Sequence, residues 1–392
     1  MVDRIRLVER ALGTSILTQD IVIDEGLCVA ARHRRCICSK CIDACPHGAL
    51  VLEGRSVVCD ELACTHCGAC ISACPTEAIS STLLSKKDIL ARLANSIEAT
   101  ERRPVLACSE ALGALSAERR FANDRVVALP CLDRIDEALL LSALAMHAGE
   151  VSLVCGNCAE CGTGCGAFER TLASVKGILQ QAGLGEGVRF EVVREFPAHA
   201  FGVERAEAGE SGEPSTERST LSRRELLSGT KGRIAKAASD VADEVIVGSA
   251  LHSIASQLGL LEPDSPIVAS SRGQVSAWAI GALVEPLLSG EQLDDERAMH
   301  IASCRVDSRL FGLPQIDFGK CHSCHLCTTY CPTGALVKKS EGPKVLGFEI
   351  RQHLCCQCLA CANICKIGAL ELKTSVRLSD VLLEKVRYQL YD

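Results

Sequence analysis

Near its two ends this chain has three stretches that place four cysteines at one spacing, C-x2-C-x2-C-x3-C. They are Cys64, Cys67, Cys70 and Cys74; Cys321, Cys324, Cys327 and Cys331; and Cys355, Cys358, Cys361 and Cys365. One phrase recurs around their last members: Cys45-Pro-His-Gly-Ala-Leu50, Cys74-Pro-Thr-Glu-Ala-Ile79, Cys331-Pro-Thr-Gly-Ala-Leu336 and Cys365-Lys-Ile-Gly-Ala-Leu370. The four copies form two pairs, spaced 29 and 34 residues, so a two-unit module lies near residues 26–82 and another near 314–373. Cysteine supplies 26 of 392 residues while aromatics supply 3%, a balance that fits either a secreted disulfide framework or a metal protein of a reducing compartment. The N-terminus decides between them. Met1–Arg10 carries both signs of charge and no apolar segment with a cleavage site follows. A secretory signal is not expected, and a cytoplasmic protein is.

The spacing itself points to iron and sulfide. A cubane [4Fe–4S] cluster has four iron corners, each needing one thiolate. Three cysteines two residues apart wrap three corners, and the fourth, often before proline, serves the neighbouring cluster. Zinc ribbons also use C-x2-C pairs, but as two separated pairs rather than four thiols in one run.

Both end modules resemble the bacterial two-cluster ferredoxins, over about 55 residues each. The resemblance implies that fourth ligands are exchanged. Cys321, Cys324, Cys327 and Cys365 would then hold one cluster of the C-terminal module, and Cys355, Cys358, Cys361 and Cys331 the other. Lys366 replaces the usual proline, which shapes the loop without being a ligand. The first run of the N-terminal module departs further. Cys38, Cys41 and Cys45 fill its last three positions, but Arg35 stands where the first cysteine belongs. Cys36 is adjacent to that slot, and Cys28 lies ten residues before Cys38. Neighbouring side chains of a C-x-C pair diverge on an extended backbone, and some ferredoxin-like sequences carry this ligand upstream across a basic segment. Cys28 is therefore preferred to Cys36, with a three-iron cluster lacking the ligand as a third reading.

Between the modules, residues 104–194 alternate strand and helix. Pro104–Cys108, Arg125–Pro130, Val151–Cys155 and Val188–Val193 are expected strands; Asp133–His147 and Ala167–Gln181 have helical spacing of apolar residues. The pattern predicts a small parallel sheet. Cys108, Cys131 and Cys155 fall at strand ends, where such sheets bind ligands, and Cys158, Cys161 and Cys165 follow on a Gly-rich loop. Two ligand sets compete: Cys155, Cys158, Cys161 and Cys165 at cubane spacing, or Cys108 and Cys131 with two loop thiols around a [2Fe–2S] cluster. Structural zinc and plain reduced thiols are the alternatives. The strand-end cysteines and Ala128–Glu137 resemble the small iron–sulfur subunit that links hydrogenases to heterodisulfide reductases, which implies a docking domain with one cluster.

The expected fold class is α+β multidomain, two ferredoxin-like dicluster modules flanking a small α/β parallel-sheet domain. Its divisions are residues 1–95, 104–200, a polar linker at 204–232, a helical segment at 233–300 packed on the second module, and 301–392. An amphipathic helix is expected over Ser379–Tyr391. Cys59, Cys304 and Cys356 fall outside the runs and are expected as plain thiols; His66, His322 and His325 occupy spacer positions inside the runs, where they either tune the potential by hydrogen bonding to sulfur or are simply solvated, and are not expected as ligands.

Net charge is −7, and loaded clusters add to it, so nucleic acid is a poor partner and a basic patch on another redox protein a better one. The apolar stretch Ala277–Leu288 is too short, and broken by Glu285 and Pro286, to span a bilayer; peripheral docking to a membrane complex stays open. No dinucleotide or P-loop signature is present. The expectation is four [4Fe–4S] clusters, with one further [2Fe–2S] or [4Fe–4S] cluster in the middle. Such a chain would relay single electrons as a subunit beside a dehydrogenase, hydrogenase or reductase. The alternative is a reductase acting at an open iron of the middle or the irregular first cluster.

Overall fold

In the N-terminal module the first and last strands, Ile21–Ile23 and Ile79–Ser81, pair antiparallel, and a hairpin joins Leu50–Glu53 to Ser56–Cys59 between them. Two short helices, Lys40–Ala44 and Ala69–Ala73, each run into a Cys-Pro phrase. The C-terminal module repeats this plan. Leu313–Ile316 pairs antiparallel with Leu370–Lys373, the inner hairpin is Leu336–Glu341 with Lys344–Arg351, and the helices are Leu326–Thr329 and Ala360–Ile364. Helices of four or five residues cannot hold themselves in water. They are placed by the few apolar side chains that alternate inward from the strands, and by cysteines. The N-terminal core consists of Ile21, Leu50, Val57, Ile71 and Ile79 together with Cys41, Cys70 and Cys74.

The computed structural model describes residues 20–115, 124–164, 166–185, 188–201, 272–289, 299–301 and 303–391. The expected linker at 204–232, and residues 233–271 of the expected helical segment, lie outside the described residues.

The middle segment builds one four-stranded parallel sheet. Val126–Leu129, Val105–Cys108, Glu150–Val154 and Arg189–Val193 lie side by side in that order. The first three strands, rich in Val and Leu, are almost wholly buried, as suits a sheet covered on both faces, while Arg189–Val193 forms a largely exposed edge. Helix Glu137–Ala145 is buried along its whole length, which explains why its apolar residues circle the helix instead of forming one stripe. Helix Phe168–Gln181 buries Phe168, Leu172, Val175, Ile178 and Leu179, one amphipathic face.

Two expectations need correction. Helix Arg272–Ser289 packs chiefly on the middle segment's helix Glu137–Ala145 and only secondarily on the C-terminal module. The Ser379–Tyr391 stretch is no continuous helix. It is the helix Leu378–Leu382 followed by strand Val386–Leu390, which joins the edge of the hairpin strand Lys344–Arg351. Glu384 at φ 48° breaks the helix, and the β-branched and aromatic side chains beyond it suit an edge strand.

Candidate metal centres

Each complete run bends around its thiols through left-handed residues. His66 and Gly68, Ser323 and His325, and Gln357 and Leu359 all have φ between 52° and 81° at matching places in the three loops. Non-glycine residues in this region cost about 1 kcal/mol or more each, so the conformation serves something beyond the local chain. It turns peptide N–H groups inward. His66 N donates to Cys64 Sγ at 3.4 Å and Ser323 N to Cys321 Sγ at 3.4 Å; separate turns at Gly48 and Gly368 in the repeated phrase aim Ala49 N at Cys45 Sγ, 3.3 Å, and Ala369 N at Cys365 Sγ, 3.2 Å. Such donors favour thiolate and stabilise ligating sulfur. In the first run the equivalent residues, Ile37 and Ser39, do not adopt this conformation, and Ser39 has φ −126°.

The fourth cysteines cross over. Burial and the neighbouring thiols of Cys74, Cys38 and Cys28 push Cys41 up to about 12. Burial, then Cys67, Cys64, Cys41 and Cys45, push Cys70 up to about 12. In the other module, burial with Cys324, Cys321 and Cys365 raises Cys327 to about 12. Burial with Cys355, Cys358, Cys331 and Cys327 raises Cys361. Crowding of this kind is unfavourable for thiolates alone and is relieved by a bound cation or cluster. The donor set therefore fits iron–sulfur clusters. Among the described residues no three Cys, His, Asp or Glu side chains close in tightly enough to hold a single metal ion.

Cys28 and Cys36 part company. Cys28 stands immediately before helix Val29–Arg32, without a side-chain capping bond, and packs with the N-terminal core. Cys36 is 3% exposed and faces the other module, its Sγ 3.8 Å from Ala360 O. It shares a small apolar cluster with Val29, Ala360 and Ile364, against which Cys38, Cys327 and Cys358 also pack. The two modules thus meet directly. Lys40 Nζ reaches Gln357 O at 3.4 Å, and Asn363 Nδ2 donates to Ile37 O at 3.1 Å.

The middle thiols also gather. Cys108, Cys131, Cys155, Cys158 and Cys161 line one small cavity, while Cys165 lies outside the described residues. Cys108 closes its strand, and its Sγ accepts from Ala111 N at 3.4 Å and Gly156 N at 3.3 Å. Burial followed by Cys155, Cys161 and Cys108 raises Cys158 to about 11. This site adjoins the N-terminal module: Cys131 packs with Cys67 and Ala69, and Thr163 O accepts from Thr65 Oγ1 at 2.9 Å.

Two thiols outside the runs are more than buried filling. Cys59 hydrogen-bonds to Cys64, which raises Cys59 and lowers Cys64 to about 6. Cys356 does the same to Cys358, which is lowered to about 7. Their place beside a ligand position, Cys356 directly after Cys355 and Cys59 five residues before Cys64, was the available sequence signal. His66 and His325 are likewise not solvated spacers. His66 pairs with Asp20 at 3.0 Å, and His325 packs against Phe348 and Tyr391 at ring separations of 5.1 and 6.2 Å.

Comparison with known proteins agrees with this geometry. A 4Fe–4S dicluster domain family matches residues 34–78, and a 4Fe–4S binding domain family matches residues 314–337. Pyruvate synthase subunit PorD of Methanocaldococcus jannaschii is 35% identical over 57 residues, which are 14% of this chain and 62% of that protein. A ferredoxin of Methanothermococcus thermolithotrophicus is 42% identical over 43 residues, 11% of this chain and 72% of the relative. No solved structure gives a significant match. With 4Fe–4S domains toward both ends and most of a ferredoxin's length matched, the chain belongs to the 4Fe–4S ferredoxin family and is an iron–sulfur electron-transfer protein.

Proposed function

We propose that this chain is an electron-relay subunit of a larger oxidoreductase, with four [4Fe–4S] clusters and a further iron–sulfur centre in its middle segment. The crossing of the fourth cysteines carries the reading. Cys74 groups with Cys28, Cys38 and Cys41, and Cys45 with Cys64, Cys67 and Cys70; Cys365 groups with Cys321, Cys324 and Cys327, and Cys331 with Cys355, Cys358 and Cys361. Each cluster held there takes up and returns one electron. The chain's own part is to bury the thiols, aim peptide N–H groups at sulfur, and bring the sets close together.

At the middle site Cys108 and Cys131, with two of the loop thiols, are the proposed ligands. The shared cavity and the two N–H donors to Cys108 favour this set over a loop-only one. The contacts favour an order in which the middle centre does not lie between the two modules. Cys131 touches the Cys67 side of the N-terminal module, while the Cys36–Cys38 side of that module meets Cys327 and Cys358. The middle centre then stands at one end of the line.

Likeness to a pyruvate synthase subunit supports membership in a multi-subunit redox assembly. No helix among the described residues is long and apolar enough to cross a membrane. Every described cysteine is a free thiol, which suits a reducing compartment. Anaerobic iron and sulfide analysis with an EPR redox titration tests the proposal. Four cubanes require about 16 irons, and the middle centre about two to four more. A colourless protein carrying zinc would end it.

A further inference from the structure

Where the two modules and the middle segment meet, a solvent-reachable cavity of about 350 Å3 opens. Its wall presents Lys40, Arg170, Arg272 and Arg309, and its carboxylate is Asp43. That size lies within the range of small-molecule sites. The four cations are not equivalent. Arg272 is 5% exposed and fixed from behind, with Asp136 at 3.3 Å and its guanidinium donating to Ile71 O and Ser72 O. Arg309 is held by Glu137 and by Thr171 Oγ1 at 3.0 Å. Lys40 and Arg170 are exposed and outnumber Asp43, whose carboxylate already accepts from Ser39 Oγ at 2.6 Å. Two exposed cations, Lys40 and Arg170, beside the half-exposed Arg309, with the buried Arg272 charge behind them, form an arrangement suited to binding carboxylate or phosphate.

Position adds a second observation. Ala73 and Pro75 on the cavity wall flank Cys74, Lys40 precedes Cys41, and Cys356 on the opposite wall adjoins Cys355. A ligand here would lie between a thiol set of each module.

We propose that this junction cavity binds a small polyanion bearing two or more carboxylate or phosphate groups, and that its binding is coupled to the redox state of the flanking centres. The coupling rests on the cluster reading above. An added electron on either side repels the anion, so reduction weakens binding, and by reciprocity the bound anion disfavours reduction.

Calorimetric titration of the full chain, prepared without oxygen and assayed for iron beforehand, tests this. Pyrophosphate and citrate serve as probes at constant ionic strength. One of them is expected to bind at one site with Kd below about 1 mM; tighter pyrophosphate marks a phosphate ligand, tighter citrate a carboxylate one. The double variant Lys40→Gln with Arg170→Gln, which gives up the Lys40 contact to Gln357 O and is checked for unchanged iron content and circular dichroism, is expected to weaken binding at least about tenfold, or 1.4 kcal/mol. Lys344→Gln with Arg377→Gln removes the same charge elsewhere and is expected to leave binding unchanged. Failure of both probes, or equal loss in the two double variants, overturns the site. Equal affinity in oxidised and reduced protein overturns the coupling. Iron-free protein that still binds would sink the cluster reading and leave the cavity standing.

Discussion

The Cys28→Ala and Cys36→Ala substitutions separate two thiols that stand eight residues apart on one segment and that the structure turns in opposite directions. Cys28 faces Cys38 and Cys41; Cys36 faces Ala360 across the module junction. Removing Cys28 takes away one of four thiolates. Iron is expected to fall by about one atom if a three-iron cluster survives, or about four if the whole cluster is lost. A three-iron form would announce itself as a new signal in oxidised protein by EPR. Removing Cys36 leaves the iron count alone. Its Sγ is nearly fully buried but makes only a 3.8 Å contact to a carbonyl. The loss is then one small apolar group and the void it leaves, about 1 kcal/mol. Iron and sulfide per chain, compared side by side under anaerobic conditions, give the answer. Full iron in Cys28→Ala together with loss in Cys36→Ala would refute the reasoning, because it would mean that the loop closes through its basic segment.

Gly164→Ala would set a Cβ 2.4 Å from Cys131 Sγ and 2.8 Å from an Asp133 carboxylate oxygen; it is expected to remove the middle centre's two to four irons while about 16 remain, read by iron analysis and EPR. Cys59→Ala and Cys356→Ala each delete a hydrogen bond to a ligand-position sulfur. At about 0.5–1.4 kcal/mol per bond, the potential of the affected centre is expected to fall by about 20–60 mV in a redox titration. Gly68→Ala meets Arg134 at 2.4 Å and a φ of 81°; a loss of about 1–3 kcal/mol in chemical unfolding is expected. Metal-free protein is expected to lose stability as pH rises from about 9 toward 12 in circular dichroism. Burial raises Cys41, Cys70, Cys327 and Cys355 to about 12, whereas an unfolded thiol ionises near 8.5–9, so the advantage of the neutral thiol is present below that range and disappears above it.

The runs, the repeated Cys-Pro phrase and the four strands of the middle sheet were legible because each is a local signal: ligand spacing, or Val- and Leu-rich runs between turns. What escaped were relations across the chain. Nothing in the run Arg34-Arg35-Cys36-Ile37-Cys38 says that Cys36 packs on Ala360, 324 residues away. The C-terminal stretch reads as one helix because Val381, Leu382, Lys385 and Tyr388 fall at helical spacing, a pattern that Glu384 ends by its φ of 48°. Glu77 shows the opposite case. It stands where the other three copies of the phrase have glycine, and it adopts the same left-handed turn at φ 54°. Its carboxylate is held by Lys86 at 2.7 Å and by the backbone N–H of Arg272. A residue that looks like a substitution in a repeat is thus the point where the repeat is tied to the rest of the molecule.

Equal ligand sets do not make equal sites. On the proposed assignment, one set in each module carries an extra thiol donor, Cys59 on Cys64 and Cys356 on Cys358, which favours the more negative, reduced state there. The partner sets have no such thiol among the described contacts. Cys324, in the set with Cys321 and Cys327, is exposed, whereas Cys355 and Cys361 are buried. Each module therefore pairs two chemically similar centres in different surroundings, which is what gives electron flow a direction. The junction puts Cys38 of the Cys28 set beside both Cys327 and Cys358, one thiol from each set of the C-terminal module, and of these two sets only that of Cys358 carries the extra donor. On this assignment reduction of the Cys358 set ahead of the Cys28 set is expected in a redox titration, and the reverse order would refute a role for the Cys356 thiol in setting the potential.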